Sequence, residues 1–159
     1  MCSQPTPLVI GSDHAAFILK NIIKAHVRDK GIVIEDVGTD SETSCNYPDF
    51  GIRVASLVSV GKFQRGILMC GTGLGMSMVA NRFPRVRAAL CNDIFSAMMS
   101  RRHNDANVLV MGGRVIGDVL AREIVDTWLA ESFEGGRHQQ RIDQFNAFEV
   151  DTFLKKKSP

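Results

Sequence analysis

Between Gly66 and Met76 the chain runs from a short apolar stretch, Gly66-Ile67-Leu68-Met69-Cys70, straight into Gly71-Thr72-Gly73-Leu74-Gly75. An apolar segment from Met76 to Phe83, suited to a helix, follows at once. Strand, tight turn and helix start are thus compressed into one motif. Glycines at such a turn let the backbone approach a ligand closely, and the free N–H groups of a helix start attract oxyanions. Cys70 and Thr72 bracket the turn, which puts a thiol and a hydroxyl beside those amides. The same two residues also suit a core cysteine closing a strand and a threonine capping a helix.

The rest of the chain repeats the alternation. Leu8-Val9-Ile10 reads as a first strand, ended by Gly11-Ser12-Asp13-His14. A helix follows with Ala15, Ile18, Leu19, Ile22, Ile23 and Val27 on one face. Ile32 to Val37 is a second strand, and Thr39 to Asp49 a long polar loop in which Tyr47-Pro48 restricts the backbone before a helix from about Phe50 to Val60. After the glycine motif come a strand at Arg87–Cys91, a helix at Ile94–Arg102, and a fifth strand at Asn107–Met111 closed by Gly112-Gly113. Val119 to Leu129 forms another amphipathic helix, and a last one runs from about Arg137 to Phe153, with Ile142, Phe145 and Phe148 on one side.

Five apolar strands separated by helices imply right-handed crossovers, and so an α/β fold: a three-layer α/β/α sandwich around a five-stranded parallel, Rossmann-like sheet. One domain over 1–159 is expected, with 1–6 and 154–159 as flexible tails and Lys155-Lys156-Lys157 solvated. Ligands of such sheets bind beyond the carboxyl ends of the strands, where Asp13, His14 and Cys70 to Gly75 fall, and at the margin Asp93 and Arg114.

A formal charge of +2 is too small to suggest nucleic acid, and no apolar run nears the roughly 18 residues of a membrane span. Without a signal-peptide core at Met1 to Pro7, a cytoplasmic location is expected. Cys2, Cys45, Cys70 and Cys91 lack metal-ligand spacing, so neither zinc nor a disulfide framework is expected, and no cofactor.

Asp13 and His14 offer a carboxylate and an imidazole for proton transfer, although an aspartate there also caps a helix. His103-Asn104 is a second pair, at a helix C-terminus. Arg137 and Arg141, four apart after Gly135-Gly136, match a dianionic phosphate, unless they form an ordinary solvated face. Met76, Met78, Met98 and Met99 read as core. Acid–base groups, a thiol beside an anion-binding turn and a phosphate grip together suggest proton abstraction next to a carbonyl, as in aldose–ketose isomerisation. A dinucleotide site is the rival reading, but the glycines are spaced G-x-G-x-G and Met76 stands where the third glycine of that fingerprint belongs.

The chain resembles the type B ribose-5-phosphate isomerases, a family that also includes galactose-6-phosphate and allose-6-phosphate isomerases. The likeness rests on Gly11-Ser12-Asp13-His14-Ala15, Asp36-Val37-Gly38-Thr39, Tyr47-Pro48-Asp49, Cys70 to Gly75, Arg102 to Leu109 and Glu134 to Arg141. It implies a pentose 5-phosphate substrate, Cys70 as the base moving a proton between C2 and C1 with help from Thr72, and an anion hole at Gly71, Gly73 and Gly75. It further implies that Asp13 and His103 open the furanose ring, that Tyr47 and Asn104 line the sugar pocket, and that His14, Arg114, Arg137, His138 and Arg141 surround the phosphate. A homodimer or tetramer with its active site at a subunit interface is implied too. Members with a glutamate base elsewhere lack the cysteine, so Cys70 puts this chain in the cysteine group. A hexose 6-phosphate substrate (allose or galactose) and a non-catalytic sugar-phosphate-binding role are the alternatives; Asp13, Cys70, Thr72 and His103 together argue against the second.

Overall fold

In the computed structural model, which describes residues 6–147, five parallel strands form one sheet. They are β1 (Leu8–Ser12), β2 (Ile34–Asp36), β3 (Arg65–Cys70), β4 (Ala88–Leu90) and β5 (Val108–Gly112), in the order β2-β1-β3-β5-β4. The inner strands β1, β3 and β5 are apolar at nearly every position because helices cover both of their faces. The register pairs Ile10 with Ile67 and Ile67 with Leu109, so one row of side chains crosses the sheet.

Six helices follow: α1 (Phe17–Asp29), entered through a single 3-10 turn at His14–Ala16, then α2 (Tyr47–Ser59), α3 (Leu74–Ala80), α4 (Ile94–Asn104), α5 (Asp118–Ala130) and α6 (Arg137–Asn146). Alternation along the strands sorts the core into two layers. Ile10, Ile67 and Leu109 pack with Ile23, Ile124 and Trp128 under α1 and α5. Val9, Leu68 and Val108 pack with Val54, Val58 and Met76 under α2 and α3. Each such side chain contributes about 1.5–3 kcal/mol on burial. The expected α/β/α sandwich is therefore the observed one.

The chain leaves β1 toward β2 on one side and leaves β3 toward β5 and β4 on the other. The loops after these neighbouring strands diverge, opening a crevice at the carboxyl edge. No helix among the described residues is long and apolar enough to cross a membrane.

Several boundaries depart from expectation. Tyr47-Pro48 opens α2 instead of ending the loop, since proline in a first turn needs no N–H partner and its φ is already helical. The glycine motif flows into α3 at Leu74, two residues early. Because α3 lies flat on the sheet, Met76 and Ala80 point inward while Met78 is 67% exposed; Met98 and Met99 are half-buried, so only Met76 is core. Ile18 and Phe145 are exposed as well. Asp93 caps α4, its carboxylate accepting the Ser96 amide and hydroxyl at 2.7 Å each. Phe148, Phe153, Lys155–Lys157 and residues 1–5 lie outside the described residues.

Candidate active site

β3 delivers Cys70 to the carboxyl edge, 5% exposed. The Gly73 N–H donates to Cys70 Sγ at 3.2 Å, and the Leu74 N–H donates to Thr72 Oγ1 at 3.3 Å. Gly73 has φ +80°, the left-handed region glycine enters without strain. Among the described residues no acceptor pairs with the amides of Thr72 and Gly75, which leaves them open at the rim.

Neighbouring loops close around this turn. Asp13 Oδ1 accepts the Ala15 N–H at 3.0 Å, so the carboxylate is a cap after all, yet it sits buried next to β3, its own N–H donating to Met69 O. His14 Nδ1 accepts the Cys45 N–H at 3.2 Å, with Cys45 Sγ 3.8 Å away. That bond makes Nδ1 the acceptor of the neutral ring and Nε2–H the free donor. The Tyr47 ring lies on Gly75, where a built Cβ would come within 2.6 Å of it. Arg114 donates its N–H to Gly71 O at 2.9 Å, and its side chain passes beside Gly71.

The loop that carries Cys45 and leads into α2 at Tyr47 is held at its start by an ion pair whose ammonium is buried. Lys20, 2% exposed, reaches from α1 to Asp36 Oδ1 at 2.9 Å and to Thr39 O at 2.5 Å. Lys24 takes Asp36 Oδ2 at 2.6 Å, Gly38 N–H takes Oδ1 at 3.0 Å, and Thr39 N–H reaches Ser12 O. Burial alone would push the Asp36 carboxyl up; hydrogen bonds from Lys24 and Lys20 outweigh it and hold the group below the usual carboxylate range.

The remaining candidates are elsewhere. α4 starts at the carboxyl edge and runs back, so His103 and Asn104 fall in its last turn at the amino edge of the sheet. There Arg87, just before β4, donates to Asn104 O at 3.1 Å. The Glu134 N–H donates to Arg102 O at 3.0 Å and brings the start of α6 alongside. The His103 and His138 rings stack with centroids 4.1 Å apart and planes within 8°. Each Nε2 lies 3.8 Å from Glu134 Oε2, and Arg137 and Arg141 stand nearby on α6. Desolvation, then the charges of His103, Arg137 and Arg141, lower the pKa of His138 from its ordinary value against the opposing pull of Glu134.

Thus Asp13, His14, Tyr47, Cys70, Thr72 and Arg114 share the carboxyl rim with the three glycines, and His103, Asn104, Arg137, His138 and Arg141 share the opposite edge. A five-residue strand, about 17 Å, separates the groups. Apolar side chains stand uncovered near the rim: Leu74 and Met78 on α3, Ile94 and Phe95 (65% exposed) on α4, and Val115.

Sequence reasoning gave no role to Glu134, Cys45, Lys20 or Asp36. Lys20 carried a signal, since it falls among the inward residues of α1 between Leu19 and Ile23; Cys45 carried none.

A family model described as Ribose/Galactose Isomerase matches residues 8–145. This chain belongs to the ribose/galactose isomerase family. It is 47% identical over 142 residues to ribose-5-phosphate isomerase B of Escherichia coli (strain K12), covering 89% of this chain and 95% of that enzyme. It is 43% identical over 144 residues to the D-erythrulose-4-phosphate isomerase of Pectobacterium atrosepticum, covering 89% of this chain and 94% of that enzyme. The solved structure of ribose-5-phosphate isomerase B from Clostridium thermocellum superimposes with a TM-score of 0.87 at 46% identity, over 96% of this chain and 99% of that one. Its relatives are isomerases, so the dinucleotide reading lapses.

Proposed function

We propose that this chain interconverts D-ribose 5-phosphate and D-ribulose 5-phosphate in the cytoplasm, with Cys70 moving the proton. What carries the reading is Cys70 at the end of the central strand, the Gly73 amide on its sulfur and open amides beside it, in a chain 47% identical to a ribose-5-phosphate isomerase B.

The step balances without a redox partner. Asp13 and His103 open the ring, one taking the proton of the anomeric hydroxyl and the other giving a proton to the ring oxygen. The Cys70 thiolate removes the C2 proton; that electron pair forms the C1–C2 double bond, and the carbonyl pair settles on O1 as a cis-enediolate. Amides of the Gly71–Gly75 turn and the Thr72 hydroxyl stabilise the oxyanion. A proton passes from O2 to O1, the C2 carbonyl forms, and Cys70 returns its proton to C1. His14 Nε2–H and Arg114 meet the phosphate, which sets the reacting carbons against Cys70.

His103, Asn104, Arg137, His138 and Arg141 come from a second copy of the chain in this reading. Their place at the far edge supports it, because an antiparallel pairing of two copies brings the amino edge of one to the carboxyl rim of the other. The uncovered Leu74, Met78, Phe95 and Val115 supply an apolar surface for that contact.

Ketose formation by the purified protein in excess chelator tests the reading, with ribose 5-phosphate as substrate and allose 6-phosphate and galactose 6-phosphate alongside, and with D-erythrulose 4-phosphate followed by loss of its ketone. Pentose turnover supports it. Turnover of another sugar phosphate alone keeps the chemistry and changes the substrate, an outcome the 43% identity to a D-erythrulose-4-phosphate isomerase makes worth testing. No turnover of any sugar overturns the enzyme.

A further inference from the structure

Glu134, set against the stacked rings of His103 and His138, has no task in the steps above. Glu134 Oε2 stands 3.8 Å from Nε2 of both His103 and His138, and all three ligand atoms lie within 4.8 Å of one another. Three such groups suggest a divalent cation, but the geometry opposes one. Imidazole lone pairs lie in the ring plane, and rings stacked 4.1 Å apart and only 8° from parallel share no point in both planes at bonding distance. Arg137 and Arg141 add positive charge beside the same atoms.

A proton suits the cluster better. Two imidazolium rings in this stack would repel each other, which favours at most one charge on the pair. A single carboxylate oxygen equidistant from both Nε2 atoms neutralises that charge on whichever ring holds it. We propose that Glu134 is a positioning residue, one carboxylate that binds His103 and His138 into a stacked pair sharing a single proton and so sets the charge of the histidine presented to the sugar. The catalytic half of this inference rests on the proposed reading of His103.

The surroundings fit. Glu134 on the connecting segment and Arg137 and Arg141 on α6 act on the pair, while Arg102 on α4 lies within reach of the charges of Glu131 and Glu134. Arg102 and Glu131 satisfy each other in a two-pronged pair at 2.6 and 2.9 Å, which leaves Glu134 as the anion for the two rings. His138, the buried member, disfavours the proton, chiefly through desolvation.

Glu134→Gln removes the charge and keeps the shape. Histidine ring signals of the full-length protein are followed by NMR against pH in wild type, Glu134→Gln and Glu134→Asp. The pair's titration midpoint is expected to fall by about one pH unit in Glu134→Gln, and to return to within a few tenths of wild type in Glu134→Asp. Midpoints unchanged in Glu134→Gln overturn the proposal, as does a fall in Glu134→Asp equal to that in Glu134→Gln. If Glu134→Gln fails to fold, Glu134→Ala, which also removes the charge, decides through the same comparison with wild type and Glu134→Asp. The histidine-dependent limb of kcat/KM against pH moves to lower pH with the NMR midpoint if His103 works on the sugar. A shifted midpoint with an unmoved limb keeps the Glu134 assignment and removes His103 from catalysis.

Discussion

The Gly73 amide points at Cys70 Sγ from 3.2 Å, across the turn that joins the central strand to α3. That N–H holds a sulfur lone pair in a fixed direction at the mouth of the turn, and the left-handed conformation of Gly73 directs it there. Cys70→Ala removes the proposed proton carrier and leaves the proposed phosphate contacts of His14 and Arg114. We expect kcat to fall by about 100- to 10,000-fold with KM within about twofold, measured by ketose formation and by direct titration of sugar phosphate. Near-wild-type turnover in Cys70→Ala would exclude the thiol as base.

The opposite placement of Cys70 and His103 yields a mixing experiment. If each site takes Cys70 from one copy and His103 from another, Cys70→Ala and His103→Ala are separately inactive but complement each other. In a mixed dimer one site has both residues and the other neither. Random reassortment makes half the dimers mixed, each with one of its two sites intact, so roughly a quarter of wild-type activity returns after co-refolding. No recovery, with mixed dimers verified by mass, would place both residues in one chain's site through a rearrangement.

How much of this could be seen in the sequence depended on how far each feature reaches. The strand, turn and helix of Gly66–Met76 announce themselves because glycine, a buried run and an amphipathic start are all local. The separation of His103 from Cys70 is not local: it follows from strand order and from α4 running back against β4, and motifs that sit together in a family can reside at opposite edges of one chain. Lys20 illustrates a different limit. A lysine among apolar residues is ordinarily read as a stem reaching to water; only its partner Asp36, at the end of another strand, turns it into a buried cation. Tyr47-Pro48 was legible as a restriction of the backbone but not as the side of the boundary on which the helix lay.

Gly75 and Tyr47 are coupled by contact. A Cβ at Gly75 would come within 2.6 Å of two ring carbons of Tyr47, so Gly75→Ala displaces the ring. We expect KM to rise about tenfold and stability to drop by about 1–3 kcal/mol. In a Tyr47→Ala background the obstruction is gone and only the helical preference for alanine remains, so the same change should be neutral or stabilise by up to about 1 kcal/mol. Equal effects in both backgrounds, from denaturant unfolding, would refute the coupling.

The loop that brings Tyr47 and Cys45 to the rim depends on Asp36, and its charge makes the dependence readable in pH. Lys20 is 2% exposed, so Asp36→Asn strands a buried ammonium whose other partner is a lone carbonyl, Thr39 O. Removing one member of such a pair costs about 3 kcal/mol, a large share of the roughly 5–15 kcal/mol that stabilises a domain. The folded-state pKa of Asp36 is lowered, so its contribution is fully present above the ordinary aspartate value of about 3.9 and is lost as pH falls through the lower folded value. The gap between wild type and Asp36→Asn should therefore stay constant from pH 7 to about 4 and close only below that. Denaturant unfolding at several pH values checks this; a gap that narrows between pH 7 and 5 would mean another group carries the effect. KM should rise in Asp36→Asn more than kcat falls, because the freed loop carries the Cys45 amide that orients His14 and leads into α2 at Tyr47, whereas Cys70 and its turn belong to β3 and α3 and keep their register with β5.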